Sequence, residues 1–362
     1  MNMRVRTTRL LGTAALAAGA CVLLAGTAAA VPNPNGTKEV LTAAGSDTIF
    51  DVTGAIFTAA NGNAGNTDPD NFVNVPPVLA AGGTFTVPGD AFAASVTYAN
   101  PGNLPPNGSG AGKTALKTSA DAGDGAIDIA RSSSGRATSD PATFEFYGFA
   151  KDGVTWSASS TGAGAGRTLT LTQLRNIYNG TITNWSQVGG TNTPIKVYLP
   201  QANSGTLAFF TGTVLGFDPT TKPVTINRFQ ENEGNTIPAA DQAAAIAPYS
   251  IAQWVAQGNN AVSDKRAGFF AGTLTGAGSN GAPVSGAAGS YAPAFTDGFL
   301  GARTVYHVLD TRSKSYGQAL RGVGFDSTGQ SPLCHGDLNA TLKTFGFKPL
   351  AANSAGTTCV KS

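Results

Sequence analysis

Three short loops carry the side chains best suited to binding chemistry, and each one leads into a predicted helix. They are Gly45-Ser46-Asp47-Thr48-Ile49, Ser109-Gly110-Ala111-Gly112 and Ser204-Gly205-Thr206. The first turn of a helix presents unpaired backbone N–H groups and the positive end of the helix dipole, and nearby hydroxyls add donors. This combination favours a small anion. Each loop alone is also explained by a Ser, Thr or Asp residue that simply caps a helix.

A fourth segment, Arg131-Ser132-Ser133, follows the apolar strand pattern AIDIA at 126–130. The stretch 107–114 resembles a nucleotide phosphate loop, but Asn107 stands where that motif requires its first glycine. The sequence therefore predicts a glycine-rich anion loop at Ser109 and no nucleotide site.

The segment from Leu169 to Gly216 predicts a helix, a strand and a second helix. Leu174, Ile177 and Tyr178 have helical spacing after a Thr172 cap. Residues 195–199 alternate as a short strand, and a new helix opens at Ser204. A strand, a small-residue loop and a helix N-terminus in this order again indicate an anion site.

The order of these pieces resembles the phosphate-binding subunit of bacterial ABC importers, a class 2 periplasmic-type solute-binding protein family. That family carries a segment "LsldQLrdIf.GkItnW", then a strand, then an SGT loop that opens a helix. The matching residues here are Leu169, Leu171, Gln173, Leu174, Ile177, Gly180, Ile182, Asn184, Trp185 and Ser204-Gly205-Thr206.

The resemblance implies an α/β, two-lobed class 2 periplasmic-binding-protein fold with a hinge and an interlobe cleft. Residues 38–150 with 300–362 would form lobe one, and residues 151–299 would form lobe two. The implied ligand-binding residues are Ser46, Asp47, Thr48, Ile49, Ser109, Arg131, Ser132, Ser133, Ser204, Gly205 and Thr206.

Two charged positions of the family pattern differ in this chain. Ser133 stands where the family has an aspartate that accepts a proton from bound hydrogen phosphate, and Pro200 stands where it has an arginine. We hypothesise that Arg131 supplies the cation and that Asp47 supplies the acceptor. The alternative is structural: Arg131 pairs with a neighbouring carboxylate, and Asp47 caps a helix.

The first 30 residues predict a secretory signal peptide. A basic start with three arginines precedes an apolar run, and the segment ends in an A-x-A pattern before a Pro/Asn/Gly leader at 31–37. Removing the three arginines changes the formal charge from +2 to −1, so the basic pI of the full chain does not indicate nucleic acid as a partner. Lipidation of Cys21 is left open.

The remaining cysteines, Cys334 and Cys359, predict one disulfide in an exported chain. The two histidines, His307 and His335, have no carboxylate cluster near them in sequence, so no metal site is expected. No nucleophile–base motif is present, so neither an enzyme nor a cofactor is expected.

The resemblance implies capture of phosphate or a similar small oxyanion outside the cytoplasm, for delivery to a possible ABC permease at the membrane. The alternative is a secreted surface or matrix protein that retains the fold without transport. The expected localisation is secreted or extracytoplasmic, with cell-surface association left open.

Three further local predictions concern elements around these loops. We expect helices over 140–147 (DPATFEFY) and 239–246, and a polar loop at 227–234 in which Glu231 and Glu233 are solvated.

Overall fold

The protein is described by a computed structural model that covers residues 40–61, 71–90, 93–278, 281–323, 333–334, 336–352 and 358–362. The predicted signal peptide, Cys21, the leader and His335 lie outside the described residues.

The described chain alternates strands with helices. The strands are β1 (Val40–Gly45), β2 (Asn71–Asn74), β3 (Thr84–Val87), β4 (Val96–Ala99), β5 (Ile129–Ser132), β6 (Phe144–Ser159), β7 (Thr168–Thr170), β8 (Lys196–Pro200), β9 (Ile226–Phe229), β10 (Ala245–Ser250), β11 (Phe269–Ala271), β12 (Thr273–Thr275), β13 (Val284–Ser285), β14 (Ala292–Pro293), β15 (Ala302–Asp310), β16 (Lys348–Pro349) and β17 (Val360–Lys361). The helices are α1 (Phe50–Asn61), α2 (Ser109–Ala122), α3 (Leu171–Tyr178), α4 (Gly205–Phe209), α5 (Ala239–Gln242), α6 (Ile251–Gly258), α7 (Tyr316–Val323) and α8 (Asn339–Thr344). Helix α4 continues as a π-helical segment, Phe210–Leu215.

The main sheet has the strand order β2-β1-β5-β15-β6-β10-β8-β9. Strands β2, β1 and β5 are parallel to one another, and so are β10, β8 and β9. Between these two groups, the long strands β15 and β6 pair antiparallel with each other and with their neighbours. Ligands of open α/β sheets bind beyond the carboxyl ends of parallel strands. The loops after β1, β5, β8 and β9 are therefore the places to look for a site.

Separate hydrophobic cores lie on the two sides of the β15–β6 pair. Trp156, Trp185 and Phe210 belong to the core of the β8 side, and all three are fully buried. Leu41, Ile49 and other residues of the β1 side form a different core. Each parallel group is thus stabilised by its own apolar contacts.

Local sequence explains why α3 begins where it does. Thr170 Oγ1 accepts from the Gln173 backbone N–H at 3.1 Å, and Gln173 Oε1 accepts from the Thr170 N–H at 2.9 Å. This is a capping box. The expected cap at Thr172 was wrong by two residues, because the reciprocal bonds form from Thr170.

Two of the predicted helices are wrong in type or extent. The helix over 140–147 is not formed, because residues from Phe144 onward belong to β6 and pair with β15. The helix over 239–246 stops at Gln242, because Ala245 begins strand β10 between β6 and β8. In both places the strand pairing prevails over the local helical pattern.

The predicted disulfide is confirmed: Cys334 and Cys359 are bonded. It ties the C-terminal segment to the core that contains Leu41 and Ile49. Among the described helices, none has both the length and the apolar character needed to cross a bilayer.

Candidate functional site

Three serine hydroxyls meet at the carboxyl ends of β1 and β5. Ser46 follows β1, Ser133 follows β5, and Ser109 begins α2. Ser46 Oγ donates to Ser133 Oγ at 3.0 Å, and Ser109 Oγ lies 3.4 Å from Ser133 Oγ. The Ser133 backbone N–H also donates to Ser109 Oγ at 2.9 Å. All three residues are buried, so their hydroxyls form a compact polar cluster.

The loop of Ser204-Gly205-Thr206 approaches this cluster from the β8 side. A Cβ atom on Gly205 would lie 2.2 Å from Ser109 Oγ and 2.4 Å from Ser133 Oγ, so only glycine fits here. The Gly110 N–H donates to the Asn203 carbonyl at 3.0 Å. Two of the three predicted anion loops therefore touch directly.

Thr48 and Thr206 join the first and third predicted loops. Their Oγ1 atoms are 3.3 Å apart, and both residues are buried. Arg303 Nη2 donates to Thr206 Oγ1 at 2.8 Å. The Thr48 carbonyl accepts from Gln253 Nε2 at 2.9 Å, which fixes the turn before α1.

Arg303 on β15 is held by Asp152 on β6, its partner in the strand register. Nε and Nη2 of Arg303 donate to Asp152 Oδ2 at 3.0 and 2.8 Å. Both side chains are buried, and Asp152 also accepts from Ser250 Oγ and from the N–H groups of Gly153 and Ala252. Among the described residues, Nη1 of Arg303 has no hydrogen-bond partner. A buried cation with a spare donor is suited to an anion.

Arg131 does not have the contacts predicted for the cation of the site. Its side chain is 0% exposed, and its five N–H bonds go to the carbonyls of Ala43, Gly45, Ser46 and Val75 and to Asn74 Oδ1. Burial lowers the pKa of Arg131 to about 9, opposed by the carboxylates of Asp47 and Asp51. Its charge and its fork of donors brace the loop after β1. The alternative expectation, a direct ion pair with a carboxylate, does not match these contacts either.

Three more predicted residues have local structural contacts. Ser132 Oγ donates to the Ser134 carbonyl at 2.7 Å, within its own turn. Ser204 Oγ accepts from the Leu207 N–H at 3.0 Å and caps α4. The Ile49 side chain packs in a hydrophobic core.

Asp47 lies apart from the serine cluster, in a neighbouring pocket of about 180 Å³ that also contains Asp51, Glu233 and Lys265. Burial raises the pKa of Asp47 well above its ordinary value, and the carboxylates of Glu231, Glu233 and Asp51 raise it further. Burial likewise raises the pKa of Asp51. This pocket is therefore unfavourable for an anion.

A second cleft, of about 930 Å³, opens beside Ser204 and is lined by more cationic than acidic side chains, unlike the pocket around Asp47. Its charged lining residues are Lys113, Lys117, Arg136, Arg228, Asp140 and Asp218. Cations outnumber carboxylates there, so this side of the site favours the approach of an anion.

Arg303, Asp152 and Glu231 were not predicted as site residues from the sequence. Glu231 was expected to be solvated but is 0% exposed, and its Oε1 accepts from Thr48 Oγ1 at 2.9 Å. The expected loop is also shorter, because Ile226–Phe229 forms β9. Asp152 and Arg303 did leave a sequence signal, since each is a charged residue within a strand whose residues are mostly apolar or small. Glu231 left no such signal.

In the described part of the chain, no group of three or more His, Cys, Asp or Glu residues is arranged to hold a metal.

A sequence model described as a PBP superfamily domain matches residues 33–312, which is most of the chain. No curated protein matches the chain.

Solved structures share the fold at low identity. A putative phosphate ABC transporter substrate-binding protein with bound phosphate, from Clostridium perfringens, is 17% identical, with a TM-score of 0.53 over 86% of this chain and 100% of that chain. A phosphate binding protein from Stenotrophomonas maltophilia is 16% identical, with a TM-score of 0.50 over 86% and 91% of the two chains. These likenesses confirm the predicted α/β, two-lobed periplasmic-binding-protein fold.

Proposed function

Since the chain belongs to the PBP superfamily, we propose that it captures phosphate or a similar small oxyanion outside the cytoplasm and delivers it to an ABC permease. Capture involves no chemical change of the solute. The export step rests on the signal-peptide pattern of residues 1–30.

One observation carries this proposal: neutral donors from separate loops converge next to a buried cation that has a donor to spare. Ser46 Oγ and Ser109 Oγ lie 3.0 and 3.4 Å from Ser133 Oγ, and Gly205 packs directly against Ser109 and Ser133. Arg303 reaches Thr206 and keeps Nη1 unpaired among the described residues. Hydrogen bonds from charged donors are roughly twice as strong as neutral ones, so Arg303 is the proposed cationic ligand.

In this proposal the predicted lobes, 38–150 with 300–362 and 151–299, close around the oxyanion. Two facts support hinge motion at β6 and β15. These strands join the two parallel groups of the main sheet, and each group has its own hydrophobic core. The serine cluster and Thr48 would belong to lobe one, and Ser204, Gly205 and Thr206 to lobe two. Such hinged closure around a ligand is a common transition.

Isothermal titration calorimetry of the mature chain, freed of bound ligand, tests the proposal. The titrants are phosphate, arsenate, sulfate and methylphosphonate. We expect a phosphate Kd of about 1 µM or tighter, which corresponds to about 8 kcal/mol. Ser133→Ala should weaken binding about tenfold, because it removes the hydroxyl at the centre of the cluster.

A folded protein that gives no heat with any of these anions, including by displacement titration, would overturn the proposal. That result would favour the alternative of a secreted surface or matrix protein that keeps the fold without transport. Folding is checked by a cooperative urea transition in the same sample.

A further inference from the structure

Glu231 places a carboxylate on donors of Thr48 and Thr206, two of the residues that the family resemblance implies as oxyanion ligands. Its Oε1 accepts from Thr48 Oγ1 at 2.9 Å and from the Thr206 backbone N–H at 3.2 Å. Thr48 precedes α1, Thr206 lies in the first turn of α4, and Glu231 follows β9. One carboxylate oxygen thus bridges the two loops across the site.

The backbone around Glu231 holds the side chain in this position. The Glu231 N–H donates to Gln201 Oε1 at 2.8 Å, and Gln201 in turn donates to Asn107 Oδ1 at 3.0 Å. The next residue, Asn232, donates from Nδ2 to Thr48 Oγ1 at 3.3 Å and accepts from the Ser250 N–H. The carboxylate is therefore part of an ordered network and is not a solvated loop side chain.

Arg303, the cation that contacts Thr206, is already paired with the buried carboxylate of Asp152. Glu231 adds a second buried carboxylate beside Thr206. An oxyanion bound beside an ionised Glu231 would add buried negative charge that no cation offsets. Because burial of an unpaired charge is costly, the oxyanion and the Glu231 carboxylate exclude each other.

The carboxylate is also incompletely bonded. Oε2 of Glu231 is buried and has no partner among the described residues, as is true of Nη1 of Arg303. A buried polar atom without a hydrogen-bond partner loses its hydrogen bonds to water and gains none in the protein, which is unfavourable. An oxyanion has more acceptor oxygens and, on the same donors, would also satisfy Nη1 of Arg303.

We propose that Glu231 is an internal competitor: its carboxylate occupies the oxyanion donors of Thr48 and Thr206, and a bound oxyanion must displace it. Glu231 thereby sets the affinity of the site. This inference rests on the proposed function.

Calorimetry with phosphate and with sulfate, on the mature chain and on Glu231→Gln, tests the inference. Glutamine keeps the shape and one acceptor oxygen but removes the charge. We expect Glu231→Gln to bind both anions at least about tenfold more tightly, because the competing charged hydrogen bonds are lost. Glu233→Gln is the matched control. That carboxylate lies two residues away and pairs with Lys265, so its loss should change affinity less than about threefold.

Acetate provides a second test that does not depend on phosphate binding. In Glu231→Ala the donors of Thr48 and Thr206 lose their carboxylate, and acetate supplies the missing group. We expect acetate to raise the melting temperature of Glu231→Ala and to leave the unmutated protein unchanged at the same ionic strength.

The outcomes separate the two proposals. Unchanged phosphate affinity in Glu231→Gln, or weaker phosphate binding with a gain of sulfate, would overturn the inference and leave oxyanion capture in place. The latter result would mean that Glu231 accepts a proton from the ligand. No effect of acetate on Glu231→Ala would also overturn the inference. Acetate rescue with no oxyanion binding by any variant would overturn the proposed function alone.

Discussion

The two buried arginines of the candidate site should respond differently to replacement by lysine. Lysine keeps the positive charge but presents a single ammonium group with three donors, while arginine presents five donors in a planar fork. If Arg131 acts through its fork and Arg303 through its charge, Arg131→Lys should lose stability and Arg303→Lys should retain much of the binding.

The loss of stability expected for Arg131→Lys follows from the carbonyl groups that accept hydrogen bonds from the Arg131 side chain. Two of the four carbonyls keep another donor, since Ala43 accepts from the Val75 N–H and Gly45 accepts from the Gly108 N–H. The carbonyls of Ser46 and Val75 are therefore the two that are left without a hydrogen-bond donor. A buried polar group left without a partner costs about 1–3 kcal/mol, so with two such carbonyls Arg131→Lys should lower the free energy of unfolding by about 2–6 kcal/mol.

Arg303 should behave differently, because Asp152 keeps three other donors when the guanidinium is replaced: Ser250 Oγ and the N–H groups of Gly153 and Ala252. Arg303→Lys should cost about 1–2 kcal/mol of stability and weaken phosphate binding less than about tenfold. Arg303→Met removes the charge and should weaken binding by about tenfold to a hundredfold.

Urea unfolding followed by circular dichroism gives the stabilities, and calorimetry gives the affinities. If Arg131→Lys is as stable as the unmutated protein, the bracing role assigned to Arg131 is refuted. If Arg303→Met binds phosphate with unchanged affinity, Arg303 is not the cation of the site.

Two further perturbations follow from the same geometry. Gly205→Ala should lower stability by about 1–3 kcal/mol and weaken phosphate binding, because its Cβ would meet Ser109 Oγ and Ser133 Oγ. Gly212→Ala is the control, because an added Cβ there meets nothing within 4 Å apart from its chain neighbours and its own helix backbone. Equal effects of the two substitutions would contradict the steric argument. Asp47 has a raised pKa in the folded state, so the folded protein binds a proton that the unfolded chain releases, and Asp47 contributes stability that increases as the pH falls from neutral toward the ordinary aspartate pKa. Asp47→Asn should therefore stabilise the protein at neutral pH and reduce that increase, and urea titrations at several pH values that show the opposite slope would refute this assignment.

The positions of the candidate-site loops could be predicted from the sequence, because strand-to-helix junctions depend on local backbone geometry. Ser46 and Ser109 stand at strand-to-helix junctions, and such junctions can be recognised from small residues, hydroxyls and hydrophobic spacing. The parallel order of β1 and β5 then brings the loops together, with Gly45 opposite Arg131 in the register. What the sequence could not give was the direction of each side chain. Asp47 and Ser46 are adjacent in sequence, yet one lines the acidic pocket and the other joins the serine cluster.

The errors have a common physical origin in long-range pairing. Residues 140–147 have a pattern that favours a helix locally, but residues from Phe144 to Asp152 pair with β15 across one register shift, and β15 lies more than 140 residues later in the chain. Glu231 was misjudged for the same reason. A carboxylate in a polar loop is usually solvated, and only the packing of β9 beside β8 brings it against Thr206.

The charges of the site are also a property of the assembled strands and not of any one motif. The family pattern leads one to expect an aspartate at Ser133 and an arginine at Pro200, and this chain has neither. A cation and two carboxylates nevertheless reach the same region from β15, β6 and the loop after β9. Because electrostatic interactions depend on distance and burial, and not on the order of residues along the chain, such charges can be supplied from any strand that passes the site. The long strands β6 and β15 are well placed to do so, since they cross between the two parallel groups, and a charge on them acts where the loops of both groups meet.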